Sequence, residues 1–306
     1  MDISVKVIGE SVTMDEKEAL KWLRDRMPVG DDCFVLESGK TNLLLTTDML
    51  HQTSDFPDGI TSYTIGWRAV AASLSDIAAM GGNPEAVLIA YGAPGFNMEE
   101  LEEFIAGAET VCKKNGANIV GGDLDRHDEL TIVTTALGKG NRPVTRKGAT
   151  PGELVAVTGD LGRTGAGLEF FEKGEVDRAN ELFRFEPRIE LGVQLAPIAS
   201  SMMDISDGLA RSLHQLSSVN DVGFRITENK VPYNPSIEEI ARTDEKKEEL
   251  GLFTGEDYEL LLTTPEENKF ELAKIGATVI GEVTEEGVEM VKGRRVIPLE
   301  DEGYVH

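Results

Sequence analysis

The stretch Ser201-Met202-Met203-Asp204-Ile205-Ser206-Asp207-Gly208-Leu209 holds a complete structural unit. A short apolar run over 199–204 reads as a buried strand, and a carboxylate closes it. Alternation along the extended segment puts Asp204 and Ser206 on one face, and Asp207 then opens a helix over 208–217. The same order of apolar run, acidic turn and helical pattern recurs elsewhere. Leu43-Leu44-Leu45 leads into Thr46-Thr47-Asp48, and Asn118-Ile119-Val120 leads into Gly121-Gly122-Asp123. Alternation of this kind from end to end marks an α/β protein.

Working outward, the pattern predicts a helix over 15–26, a Gly30-Asp31-Asp32 turn and a strand over 43–47. A helix follows over 65–80, where Ile65, Ala69, Ala72 and Ile77 keep helical spacing and Gly81-Gly82-Asn83-Pro84 ends it. Strands at 86–91, 118–120 and 130–137 surround a long helix at 98–115. Glycine, proline and basic residues cluster over 138–152 and suggest a boundary, giving an N-terminal domain over 1–140 and a C-terminal one over 148–306. The second half restarts with a strand at 154–158, a Gly-rich turn entering a helix, strands at 223–226 and 258–263, and a helix at 266–275.

The 306 residues are ample for two domains with a large core. A formal net charge of -25 argues against unaided binding to nucleic acid or an anionic membrane, since both would be repelled. No charged-then-apolar leader and no apolar stretch long enough for a bilayer stands out, so cytoplasm is the default expectation. Cys33 and Cys112 form neither a disulfide framework nor a metal motif, and the four histidines are scattered.

Seven aspartates in five groups carry the chemistry: Asp31-Asp32, Asp48, Asp76, Asp123 and Asp204 with Asp207. Packed together without cations, carboxylates repel one another and protonate. The economical reading is a cage for several hard divalent cations, with magnesium holding phosphates. Asp76 lies near the end of an otherwise apolar helix, where a buried carboxylate needs a partner. There is no Gly-x-x-x-x-Gly-Lys-Ser/Thr loop and no kinase-type glycine loop, so metals and arginines must neutralise phosphate charge, with Arg126 and Arg146 as candidates. The turn Gly159–Gly165 reads more readily as an ordinary strand-to-helix turn than as a phosphate cradle. The acidic group at Glu256-Asp257-Tyr258-Glu259 either holds a cationic substrate group or solvates a sheet edge.

In order and at these spacings, the motifs VGDDCFV (29–35), TTDM (46–49), AASLSDIAAMGGNP (71–84), GGDLDR (121–126), TRKGATPGELVAVTGDLGRTGAGL (145–168), MDISDGL (203–209) and GEDYELLL (255–262) resemble the thiamine-monophosphate kinase family. That family belongs to the superfamily typified by aminoimidazole-ribonucleotide synthetase. The resemblance implies a two-domain α/β (α+β) fold and a homodimer whose N-terminal sheets pair. It also implies ATP-dependent phosphorylation of thiamine monophosphate to thiamine diphosphate. By motif position it implies Asp32, Thr46, Thr47, Asp48, Asp76, Asp123, Asp204 and Asp207 as magnesium ligands, with Asp48, Asp76, Asp123 and Arg146 central to catalysis. Gly122, Asp123, Arg146 and Ser206 would contact ATP, and Glu256 and Tyr304 the thiamine side. Where the family often carries a His-Phe pair this chain has Asp55-Phe56, which puts a carboxylate on the substrate side.

The scarcity of histidine agrees with this chemistry. A phosphate monoester, with its second pKa about 6, already carries the charge needed to attack without a strong base. Competing readings are another ATP-dependent synthetase of the superfamily or a non-catalytic nucleotide-binding regulator.

Overall fold

The computed structural model describes residues 22–23, 26–27, 30–39 and 41–303. The expected helix over 15–26 lies largely outside them, as does Tyr304. The compact unit Asp31–Tyr304 carries everything that follows.

Two mixed sheets organise this unit. The first has the order β1-β2-β5-β3-β4, built from β1 (Phe34–Ser38), β2 (Thr41–His51), β3 (Asn83–Ala93), β4 (Asn118–Arg126) and β5 (Thr131–Gly140). Only β3 and β4 run parallel in it; the other pairs are antiparallel. The second sheet has the order β12-β11-β8-β10-β6-β9-β7. Its strands are β6 (Leu154–Thr158), β7 (Ser201–Asp204), β8 (Gly223–Thr227), β9 (Leu260–Thr264), β10 (Ala277–Thr284), β11 (Val288–Lys292) and β12 (Arg295–Pro298).

The helices are α1 (Gln52–Asp55), α2 (Ser62–Ala79), α3 (Met98–Lys114), α4 (Arg163–Glu172), α5 (Val176–Phe183), α6 (Ile189–Leu195), α7 (Leu209–Asn220), α8 (Pro235–Ile240), α9 (Asp244–Glu248) and α10 (Lys269–Ile275). Helix α2 is the central element. Thr61 caps its first turn by accepting from the Thr64 amide at 3.2 Å. From Thr64 onward nearly every residue is buried, as expected of a helix apolar on all sides. One side packs on β2 and β5, another on β7, and a third on α3. The crossing with α3 is close. A Cβ on Gly66 would stand 1.9 Å from the Phe104 carbonyl oxygen, and one on Gly107 2.0 Å from that of Tyr63. Leu74, Ile77 and Met80 share one continuous core with Leu44 and Val87 of the first sheet and with Met202, Leu260 and Leu262 of the second. Fully burying each such side chain contributes about 2 kcal/mol, so α2 holds both sheets through the hydrophobic effect.

Several elements are longer than their apolar runs. Strand β2 continues to His51 and β4 to Arg126. Asp48 and Asp123 therefore sit inside strands rather than at their ends; only Asp204 closes its strand. The apolar pattern stops where polar side chains begin, but the hydrogen-bonded ladder does not.

Candidate active site

Four segments deliver carboxylates to one place. Asp32 comes from the turn before β1, Asp48 from β2, Asp76 from the last turn of α2 and Asp204 from the end of β7. Oxygens of Asp32, Asp76 and Asp204 all lie within 4.8 Å of one another. Hydroxyls orient the group. Ser73 donates to Asp48 Oδ2 at 2.5 Å, Ser75 donates to Asp204 Oδ2 at 2.6 Å, and Thr46 donates to Asp76 Oδ2. Ser73, Ser75 and Asp76 are neighbours on α2, so one helix end supplies one carboxylate and holds two others. Arg146 donates through Nε (3.2 Å) and Nη2 to Asp32 Oδ1, through Nη1 to Gln215 at 3.1 Å, and its amide donates to Asp31. The other oxygen of Asp32, Oδ2, is buried and has no hydrogen-bond partner.

Electrostatics follow from this crowding. Burial pushes the Asp76 carboxyl well above its ordinary range, and the charges of Asp48, Asp204 and Asp32 push it further. Burial, with Asp32 adding to it, raises Asp204 to about 8 against the opposing pull of Ser75 and Arg146. Asp48 is raised by burial despite Ser73, and Asp32 is raised by burial despite Arg146. The Cys33 thiol is pushed up by burial and by the same carboxylates, consistent with a packing residue rather than a nucleophile. A set of hard oxygen donors with one buried, unpartnered carboxylate oxygen fits a divalent cation such as Mg2+.

Not every expected residue joins the group. The Thr47 hydroxyl points to the other face of β2, bonding the Thr134 carbonyl at 3.0 Å and the Thr135 hydroxyl at 3.1 Å. Alternation of side chains along a strand separates it from Thr46. Asp123 is on the edge strand β4, in register with Ala90, Val133 and Met49, and so on the face opposite Asp48. Within one chain it stands away from the cluster. Gly122, beside it, is forced by a close approach: a Cβ would stand 1.7 Å from the Ile89 carbonyl oxygen. Asp207 does not cap α7, whose N-cap is Gly208, but accepts from Gln215 at 2.9 Å. Asp55 is buried and accepts from the His51 amide and the Ser54 hydroxyl, both at 2.7 Å, so one oxygen serves its own turn. Arg126 ends the edge strand in an exposed position.

The second acidic group turns inward. Asp257 accepts from the amides of Gly162 (2.6 Å) and Thr164 (3.1 Å), which occupies the N-terminus of α4 and leaves Gly159–Gly165 a structural turn. Glu259 accepts from Thr158 at 2.6 Å and pairs with Arg188 through both Nε (2.7 Å) and Nη2. Glu256 lies 2.8 Å from Nη2 of Arg68, a fully buried arginine on α2. Arg68 and Ser73 were not among the residues expected from the sequence; their signal was an arginine and a serine inside an otherwise apolar helix.

Comparison with known proteins gives this arrangement its family. The model of the AIR synthase related protein, N-terminal domain, matches residues 30–139, and that of the C-terminal domain matches 150–293. A thiamine-monophosphate kinase of Halobacterium salinarum is 44% identical over 300 residues, covering 96% of this chain and 100% of the relative. The chain belongs to the thiamine-monophosphate kinase family. A second relative of that name, from Methanospirillum hungatei, is 39% identical and covers 96% of this chain and 99% of its own. A solved structure of AaThiL complexed with AMPPCP and TMP superposes with a TM-score of 0.84 at 31% identity, covering 97% of this chain and 100% of that one. The two-domain fold expected from the motifs is therefore the fold of this family, and the chain is a phosphotransferase of the kinase type.

Proposed function

We propose that this chain phosphorylates thiamine monophosphate to thiamine diphosphate with ATP, by direct in-line transfer. The observation that carries the reading is the meeting of carboxylate oxygens of Asp32, Asp76 and Asp204, from three separate segments, within 4.8 Å of one another, with Asp32 Oδ2 buried and unpartnered. Full-length relatives of the same name support the substrate pair. So does the AMPPCP and TMP complex of a structural neighbour.

Several Mg2+ ions held by Asp32, Asp48, Asp76 and Asp204 would neutralise charge on the phosphate chain during transfer. The chain's own groups do the aligning. Thr46, Ser73 and Ser75 each hold one oxygen, of Asp76, Asp48 and Asp204 respectively, which fixes the orientation of those carboxylates. Arg146 acts mainly by anchoring Asp32, to which it is already bound, rather than as a free phosphate hook. No histidine or other strong base is needed, since the acceptor phosphate is already an anion. A groove between α3 and β4, lined by Tyr91, Leu101, Phe104, Ile105 and Leu124, runs to Gly122 and Asp123 and suits an adenine ring.

The homodimer belongs to the same proposal. Phe34, Leu36, Leu45, Met49 and Leu88 are exposed on the face of the first sheet turned away from α2. Apolar exposure of that extent marks an interaction surface, and a second copy is the occupant that the family resemblance implies. Asp123 lies on this face, at the margin next to Ala90, so pairing of the sheets would carry it toward the partner. Domain limits of 1–140 and 148–306, with the remaining expected ligands, stay within this proposal, as does a cytoplasmic location. Among the described residues no helix is long and apolar enough to cross a membrane.

The test is purified protein with ATP, Mg2+ and thiamine monophosphate, assayed for thiamine diphosphate. ATP hydrolysis alone, or transfer to a different acceptor only, contradicts the reading. With a chiral γ-phosphoryl group, inversion is expected; retention would show a covalent enzyme intermediate instead.

A further inference from the structure

Arg68 is fully buried on α2, on the same helix as Ser75 and Asp76. An arginine in such a place needs its charge and donors matched. Its Nη2 lies 2.8 Å from Glu256 Oε2 as an ion pair without hydrogen-bond geometry, and its Nη1 donates to the Phe183 carbonyl at 3.2 Å. Its Nε has no hydrogen-bond partner, so the charge is matched mainly by Glu256. The guanidinium lies over the rings of Phe183, Phe185 and Tyr258, at 4.6, 5.6 and 5.8 Å from their centroids. Phe185 and Tyr258 are stacked on each other at 4.2 Å. One side chain thus ties α2 to the end of α5 and to the segment 255–258.

That segment has an unusual backbone. Gly255, Glu256 and Tyr258 have φ of 81°, 56° and 54°. Two of the three are not glycine, and such a conformation persists only where its surroundings over-determine it. Its main chain clamps the turn after Asp204. The Glu256 amide donates to the Ser206 carbonyl at 2.5 Å, the Tyr258 amide to that of Ile205 at 2.9 Å, and the Ile205 amide to that of Glu259 at 2.8 Å. The approach is close enough that a Cβ on Gly255 would stand 2.5 Å from the Ser206 carbonyl oxygen.

We propose that Arg68 is a positioning residue for the phosphate-handling edge. Through Glu256 it holds 255–258 in its left-handed conformation, and that segment fixes the Asp204–Asp207 turn relative to Asp76. Helix α2 then grips the turn at two points, by Ser75 on the Asp204 side chain and by Arg68 through Glu256 on its main chain. The inference rests on reading Asp76 and Asp204 as the cation- and phosphate-binding edge.

The test compares wild type with Arg68→Met, Arg68→Lys and the pair Arg68→Met with Glu256→Gln. Arg68→Met alone removes the guanidinium charge that faces the buried Glu256 carboxylate and lowers the melting temperature of the whole chain. The double variant removes that charge, so the melting temperature recovers. Hydrogen exchange is then read at the amides of Ile205, Glu256 and Tyr258 and, as controls, in β6 and β9. Positioning predicts that in the double variant the controls return to wild-type rates while the three turn amides still exchange about tenfold faster or more. Arg68→Lys keeps the charge without the planar fork and falls between. The Mg2+ concentration at half-maximal thermal stabilisation, measured with the metal alone, rises severalfold in the double variant. Turn and control amides recovering together, or an unchanged Mg2+ midpoint in the double variant, overturns the proposal. This exchange pattern in the double variant, together with wild type that makes no thiamine diphosphate, would remove the proposed reaction and leave the clamp standing.

Discussion

Two acidic regions, alike in the sequence, have opposite chemistry in the fold. At Asp32, Asp48, Asp76 and Asp204 the carboxylates face one another with a single arginine among them. At Glu256, Asp257 and Glu259 each carboxylate meets a partner of its own: Arg68, the amides at the start of α4, and Arg188 with Thr158. The first arrangement is crowded with like charge and costly without cations. In the second the compensating groups come from the chain itself, although burial still pushes Asp257 up to about 7. The number of acidic residues therefore says little; what separates a site from a scaffold is where the compensating charge comes from.

The largest expected contrast comes from Asp76→Asn. Removing one carboxylate from the crowded set should lower turnover by orders of magnitude, about a hundredfold or more. It should also raise the melting temperature measured without divalent cations, because one buried repulsion is gone. Steady-state kinetics at saturating Mg2+ and a melt in chelator check both signs. Near-normal turnover would break the contrast.

Glu259→Gln should do the reverse. It leaves Arg188 without its carboxylate partner and costs about 3 kcal/mol of stability, read by denaturant unfolding. Turnover per folded molecule should change much less than in Asp76→Asn. Loss of turnover equal to that of Asp76→Asn, with stability unchanged, would reverse the two roles.

A smaller effect concerns pH. An unfolded aspartate titrates near 3.9, whereas Asp204 in the fold titrates at about 8. Between those values the folded chain holds a proton that the unfolded chain has released, so stability falls as pH rises through that window. Asp257, pushed up to about 7 by burial away from the cluster, adds a fall that Mg2+ does not remove. The fall should therefore be steeper in chelator and only partly flattened by Mg2+, which stabilises the anions of the cluster. Melting temperatures across pH in the two conditions test this, and parallel curves would count against the cage. The smallest effect is general. A net charge of -25 repels itself, so potassium chloride raised from about 0.1 to 1 M should raise the melting temperature by screening.

Much of this was legible in the sequence, and the gaps have physical causes. The aspartates of the cluster stood out because they interrupt or end apolar runs, and the strand at 154–158 because it is such a run. Asp48 and Asp123 looked like strand termini because periodicity registers side chains, whereas a strand extends as long as its ladder finds partners. The resemblance, read by motif position, implies Thr47 and Asp123 as metal ligands; spacing along the chain could not show that the register turns both to the sheet face opposite Asp48 within one chain. Strands β1 and β10 to β12 and the short helices α1, α5, α6, α8 and α9 were missed. Most are too brief to show a period, and β10, eight residues long, carries a register shift between Val279 and Gly281 that breaks its alternation. Arg68 was hidden for a different reason: its meaning depends on Glu256, which lies in the other half of the chain.

The measurement that bears most directly on the account is anomalous diffraction from crystals grown with Mn2+ and AMPPCP. The account predicts metal peaks within coordinating distance of Asp32, Asp76 and Asp204. Peaks confined to the Glu256–Glu259 region, or none near the aspartate cluster, would contradict it.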